Sequence, residues 1–214
     1  MTIAHDSRTD AAPPALAEVM QRLGQRLSVA KDEGIFTQDD EADRVHLVVS
    51  GAVRTTRLLG DGRRQVAGFY YPGDLIGPET GALHRFSAEA VCDAAVLMVR
   101  RAALKAYAGE AGFERAFWEA ARRELERTHD HLLVLGRKTA CEKVASFLKS
   151  LALRQGADSA SMPMSRQDVA DYLGLTIETV SRMLTQLQGQ SVVAFDGTRR
   201  FKVTRWDALE QMAA

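Results

Sequence analysis

Cysteine is scarce in this 214-residue chain: Cys92 and Cys141 are the only two. Two thiols make no disulfide scaffold, and their scarcity suits a reducing compartment. They are also too few for a four-cysteine zinc site or an iron–sulfur cluster. Net charge is absent, with 28 basic against 28 acidic residues. That balance excludes a polybasic binder and leaves room for a local basic face. No apolar run approaches the roughly 18 residues of a membrane span. The first residues carry His5, Asp6 and Arg8 where a signal peptide would be apolar. A cytoplasmic protein without membrane association is expected. Catalytic signatures are missing as well: there is no Gly-x-Ser-x-Gly, no glycine-rich phosphate loop, and no His-x-His pair within residues 34–100. Neither enzyme activity, a cofactor nor a bound metal is expected.

What is present is an apolar fraction of 46%, ample for packed cores over a length that suits one large domain or two small ones. Residues 1–13 read as a loose polar tail. Leu16, Val19, Met20, Leu23 and Leu27 then recur at helical spacing. From Gly34 to Arg100, turn signals at Asp39-Asp40, Ser50-Gly51, Gly60-Asp61-Gly62 and Pro72-Gly73-Asp74 separate short runs rich in β-branched and aromatic residues. Runs such as VHLVV, AVRTTRLL, RQVAGFYY and AVCDAAVLMV predict an antiparallel all-β barrel or sandwich, with a hairpin at Gly60-Asp61-Gly62. Between Gly112 and Arg137, Phe113, Phe117, Ala121, Leu125, Thr128, Leu132 and Leu135 form one stripe on a heavily charged helix. Such a stripe suits a helix–helix seam, so Phe117, Ala121, Leu125, Thr128, Leu132 and Leu135 are expected to join two copies of the chain. Thr139-Ala140-Cys141-Glu142 has capping-box form and opens a further helix, with Val144, Phe147, Leu148 and Leu151 inward and a loop at 156–161 as its end.

The stretch Ser165–Leu187, SRQDVADYLGLTIETVSRMLTQL, carries the most information. Ser165 suits an N-cap, with Asp168 three residues on. Val169, Ala170 and Leu173 can face inward, and Gly174 suits a left-handed helix end. Thr176 caps a second helix, with Glu178 in its first turn. Two short helices around a glycine turn predict a helix-turn-helix. At about 100° per residue, Val180, Met183, Leu184 and Leu187 share one side of the second helix, and Glu178, Ser181, Arg182 and Thr185 share the other. Arg can bridge the O6 and N7 of guanine, Glu can accept from cytosine N4, and Ser can meet either kind of base. Glu178, Ser181 and Arg182 are therefore the candidate base readers. Residues 192–203, VVAFDGTRRFKV, predict a hairpin at Asp196-Gly197 with Arg199, Arg200 and Lys202 beside its tip. Those three cations and the hydroxyls of Ser165, Thr176 and Thr179 are candidates for phosphate contact. Residues 138–214 hold ten basic and eight acidic residues.

A β-roll, a long helix and a C-terminal winged helix, in that order, resemble the cyclic-AMP receptor protein/FNR superfamily of bacterial transcription regulators. VSGAVR, PGDLIG and FSAEAV resemble its β-roll segments, and LGRKTACEKVASFL and LTIETVSRMLTQL resemble the FNR and FixK branch. The implied fold is α+β: a loose tail at 1–13, a β-roll domain with flanking helices at 14–110, a dimerisation helix at 111–137 and a winged helix-turn-helix at 138–214. The implied function is a homodimeric regulator, an activator, with double-stranded DNA and RNA polymerase as partners. Glu178, Ser181 and Arg182 fall on the family's base-reading positions, which implies a TTGA-N6-TCAA-like palindrome. Cyclic-nucleotide binders of the superfamily use a Gly-Glu and an Arg-Ser pair. This chain has Gly77-Pro78 and Phe86-Ser87 there, with Glu79 and Arg85 displaced. Residues 1–91 lack cysteine, so the FNR-type cluster has no ligands. A FixK-like regulator active without an effector is expected, the alternative being gating by haem or a nucleotide. His46 and His84 are the candidates for haem, while His129 and His131 lie about 200° apart on a helix and cannot share a metal. Cys141 is the candidate redox-sensitive thiol.

Overall fold

The computed structural model describes residues 14–79, 81–156 and 159–214; the tail at 1–13 lies outside the described residues. Two compact units follow one another, one ending at Thr128 and the other running from His129 to Ala214.

The first unit contains α1 (Pro14–Leu23), β1 (Gln25–Val29), β2 (Gly34–Phe36), β3 (Arg44–Ser50), β4 (Val53–Leu58), β5 (Arg64–Tyr70), β6 (Leu75–Ile76), β7 (Ser87–Ala90), β8 (Ala94–Arg100) and most of α2 (Arg101–Arg137). The strands form two antiparallel four-stranded sheets, ordered β1-β8-β3-β6 and β2-β7-β4-β5. β3 and β8 are apolar nearly throughout because both of their faces are covered. Val45, Leu47, Leu97 and Val99 meet Leu16 and Met20 of α1 and Leu104, Phe113 and Ala120 of α2. Val48 and Val96, one residue out of phase, join Val29, Val53, Ile76, Ala88 and Ala90 in a second cluster.

Leu27, expected on the first helix, lies instead on β1. The helix stops because the chain passes too close to its neighbours at Gly24. A Cβ there would sit 2.4 Å from the Met20 carbonyl oxygen and 3.0 Å from Leu97 Cβ. The expected hairpin joins β4 and β5, with Gly62 at φ 83° and the Leu59 N–H donating to Arg63 O at 2.8 Å.

α2 begins ten residues earlier than the 111 expected from its apolar stripe, and Gly109 interrupts it at φ 70°, ψ 161°. Its stripe also divides. Phe117 packs on its own unit, stacked with Phe113 at 5.3 Å between ring centroids and lying 4.9 Å beneath the Arg101 guanidinium. Among the exposed apolar residues of α2, which also include Tyr107 and Leu133, Trp118, Leu125 and Leu132 stand seven residues apart at 70%, 54% and 64% exposure. Ala121 and Leu135 are half-buried and Thr128 is exposed. Phe117 is thus half-buried against its own unit, and its neighbour Trp118 is the more exposed of the two.

The second unit continues the helix and adds α3 (Ala140–Arg154), β9 (Ser159–Ser161), α4 (Arg166–Leu173), α5 (Ile177–Gly189), β10 (Val193–Asp196), β11 (Arg200–Val203) and α6 (Trp206–Met212). Val144, Phe147, Leu148 and Leu151 are buried on α3, as their spacing predicts. Part of the expected loop at 156–161 is a strand: Ser159–Ser161 pairs with β11 and completes the sheet β10-β11-β9. Residues 157–158 lie outside the described residues. The Gln155 amide holds this edge like a strand of its own, Nε2 donating to Ser161 O and Oε1 accepting from Ser161 N–H, both at 2.7 Å.

His46 is buried on the inner side of β3, where burial, with the nearby His84, lowers its pKa to about 4. A folded-state value below the ordinary one near 6.5 means that the unfolded chain binds the extra proton. Stability is intact above about pH 6.5 and is lost as the pH falls toward 4, by up to about 3 kcal/mol from this group. Thermal melts across that range are expected to show the fall, and His46→Leu is expected to reduce it; an unchanged slope assigns the loss to other groups.

Candidate nucleic-acid interface

The two short helices of the second unit are fixed by side-chain caps at both starts. Ser165 Oγ accepts from the Asp168 N–H at 3.1 Å, and Asp168 Oδ2 accepts from the Ser165 N–H at 3.0 Å. This is the capping box expected from sequence, and the Ser165 hydroxyl also donates to Asp168 at 2.8 Å. That hydroxyl is thus committed within the fold. α4 ends at Gly174, at φ 62°, ψ 42°, with the Leu175 N–H donating to Ala170 O at 3.0 Å. Thr176 caps α5, its Oγ1 accepting from the Thr179 N–H at 3.3 Å. The Thr139 box at the start of α3 is likewise present.

The phase set by this turn buries Val180, Leu184 and Leu187 and leaves Glu178 and Arg182 exposed with Ser181 half-buried between them. Met183, expected inward, is half-buried. The Glu178 carboxyl is held below its usual range by its own backbone N–H and the Thr176 hydroxyl, so it stands ionised as an acceptor. Arg182 has no ion pair among the described residues. Sequence reasoning missed Ile177. It is 38% exposed at the first position of α5. An apolar side chain off the buried face was the available signal, and thymine methyl groups are its chemical match.

β10 and β11 pair from Val193–Val203 to Asp196–Arg200, around a three-residue connection with Gly197 at φ 66°. Arg199, Arg200 and Lys202 are all exposed and, among the described residues, carry no ion pair. By contrast, three arginines of α2 are ion-paired locally: Arg122 with Glu119 and Glu126, Arg123 with Glu119, Arg127 with Glu124. His131 stacks on Tyr172 at 3.9 Å, and its imidazole is pushed down by burial.

In the β-roll, the residues at the cyclic-nucleotide positions do not fit such a ligand. Glu79 Oε2 is 3.1 Å from Nδ1 of buried His84. Ser87 Oγ accepts from the Gln38 N–H at 2.9 Å. Arg85 is exposed and Phe86 replaces the family's arginine. The face of His84 is covered by Phe36, at 3.8 Å between ring centroids. No group of three or more metal-ligating side chains occurs among the described residues, and no described helix is long and apolar enough to cross a membrane. Burial and Glu142 push the Cys141 thiol up, against the thiolate that redox chemistry needs.

A β-roll followed by a capped helix-turn-helix with an unpaired polar face and a basic hairpin defines a transcription regulator with a helix-turn-helix DNA-binding domain. Residues 142–212 match the Crp-like helix-turn-helix domain and residues 26–110 the cyclic nucleotide-binding domain. The nitrogen fixation regulation protein FixK of Azorhizobium caulinodans is 46% identical over 92% of this chain and 82% of its own length. The transcriptional activatory protein AadR of Rhodopseudomonas palustris is 39% identical over 92% and 85%. The solved structure of FixK2 from Bradyrhizobium japonicum superposes with a TM-score of 0.85 at 42% identity, covering 90% of this chain and 98% of that one. The chain belongs to the Crp/FNR family of transcription regulators, in its FixK branch.

Gly174→Ala is expected to destabilise the second unit by about 1–2 kcal/mol through its left-handed backbone alone. The added Cβ would meet nothing nearer than Leu135 Cδ2 at 3.8 Å. Chemical denaturation checks this, and an unchanged midpoint would remove the constraint.

Proposed function

We propose that this regulator works as a homodimer in the cytoplasm, setting α5 of each copy into adjacent major grooves of a TTGA-N6-TCAA-like palindrome. The observation that carries the reading is the outward face of α5, with an ionised Glu178, Ser181 and an Arg182 that has no ion pair among the described residues. Arg182 reads guanine and Glu178 accepts from cytosine, with Ile177 against a thymine methyl. Arg199, Arg200 and Lys202 meet phosphates and set affinity without sequence. The start of α4 meets the backbone through its N–H groups, and Thr176 and Thr179 flank it at the start of α5.

Pairing of copies runs along α2. Trp118, Leu125 and Leu132 occupy one set of positions in a three–four repeat, and Ala121, Thr128 and Leu135 the other. A two-fold pair of recognition helices then matches a two-fold site. The misfit of the β-roll residues to a cyclic nucleotide supports activity without a small effector. The name of AadR, an activatory protein, supports activation, with RNA polymerase as the further partner.

Selection of bound duplexes from a random pool with ligand-free protein tests half-site, spacing and effector need together; enrichment that appears only on adding a nucleotide or haem would reverse the effector-free part. Arg182→Ala is expected to cost about 1–3 kcal/mol on the selected duplex and little on random DNA. Equal losses on both would end the base-reading role. Replacing thymine by uracil is expected to weaken the parent protein and leave Ile177→Ala indifferent. For the seam, Trp118→Ala with Leu125→Ala is expected to give a monomer in analytical ultracentrifugation, and an intact dimer would put the seam elsewhere.

A further inference from the structure

His84 stands outside every role so far assigned, yet it is a loop residue whose ring is inserted into the roll at 2% exposure. Its backbone is clamped on both sides, its N–H donating to Asp40 O and its carbonyl accepting from the Asp39 N–H, each at 2.9 Å. Its ring lies flat on Phe36 of β2, with 14° between the planes. Its Nδ1 meets Glu79 at 3.1 Å. Its Cε1 edge lies beside Gly77, at φ 78°, where an added Cβ would come within 3.1 Å of it. The Gly77 carbonyl in turn accepts from Arg101 Nη2 at 3.1 Å, and that guanidinium lies over the Phe117 ring of α2. One imidazole thus links the β2 sheet, the end of β6 and the long helix.

We infer that His84 is a built-in ligand of the β-roll: its imidazole fills the interior place of a small effector and, through Gly77 and Arg101, holds α2 in the arrangement that binds DNA. The inference rests on the effector-free DNA-binding reading above. Aromatic stacking and one hydrogen bond to a carboxylate are the contacts that a heteroaromatic ligand makes in a pocket. Here the chain supplies the ligand itself, tethered, so no concentration of a free molecule is needed. Removing it takes the imidazole partner from Glu79 and the ring from beside Gly77, whose carbonyl Arg101 holds. If the competent fraction falls to about one tenth, apparent DNA affinity falls about tenfold.

The test is complementation of the hole. His84→Ala is expected to bind the palindromic duplex about tenfold more weakly than the parent and to recover when millimolar imidazole is added. The parent protein is expected to ignore imidazole. Thiazole, a ring of the same size with no N–H for Glu79 at neutral pH, is expected not to restore binding. Melting temperature is read on the same samples, where imidazole is expected to raise that of His84→Ala alone. Undiminished DNA binding by His84→Ala overturns the inference, and so does a loss that imidazole leaves untouched. If the variant does not fold, refolding in imidazole is expected to return folded protein, and failure to do so counts against it equally. A parent protein that binds no palindrome sinks the DNA reading instead, and a variant whose melting temperature ignores imidazole sinks this one.

Discussion

The backbone of Gly174, turned into the left-handed region between two capped helices, is the constraint on which the DNA-facing surface depends. Eight residues of α4 end there and α5 begins at Ile177. The angle between the helices and the rotation of α5 about its axis are set by that one turn and by hydroxyl caps on either side. Rotation decides chemistry. A helix of the same sequence turned by one position would bury Arg182 and expose Leu187. The inner apolar stripe and the glycine turn specify the same phase, so local and tertiary preferences agree.

Charge is distributed with equal economy. The chain is neutral overall, and many of its cations are matched within the fold. Arg54 is matched across strands, and Arg122, Arg123 and Arg127 of α2 are matched one turn away by Glu119, Glu124 and Glu126. The cations left without protein partners in the second unit include Arg182 and the three of the β10–β11 hairpin. A matched charge costs little to keep and attracts little; an unmatched one on a convex hairpin seeks phosphate. Neutral composition and a strongly polarised surface are therefore compatible.

Much of this was legible in the chain itself. The capping boxes at Thr139 and Ser165 and the Thr176 cap rest on side-chain-to-backbone bonds, and the Gly174 stop and the Asp196-Gly197 hairpin on the backbone freedom of glycine; all lie within four residues, which sequence displays directly. What escaped depended on distant neighbours. β1 was read as helix because Leu27 keeps helical spacing with Leu23, and only the approach of Leu97 to Gly24 ends α1. β9 was read as loop because Ser-Ala-Ser has no strand character until β11 lies beside it. Phe117 and Trp118 are adjacent and both aromatic, so spacing alone could not say which one its own core would claim. Ile177 was passed over because an exposed apolar residue is ordinary until its helix has a groove to enter. The joining of Phe36, Glu79 and His84 draws on three separate segments and left no local trace.

Arg54 and Glu89 face each other across β4 and β7, joined by Nε and Nη2 to one carboxylate oxygen at 3.0 and 2.8 Å, with Asp32 nearby at 3.2 Å. The guanidinium is almost fully enclosed. Losing Glu89 alone would leave the buried guanidinium paired to the exposed Asp32 only, a poorer compensation that draws on the narrow margin that keeps a small domain folded. Evolutionary drift at either site is then blocked unless the other changes in step. Two positions far apart along the chain are inherited as one character, and sequences descending from this one should vary there as a couple or hardly at all.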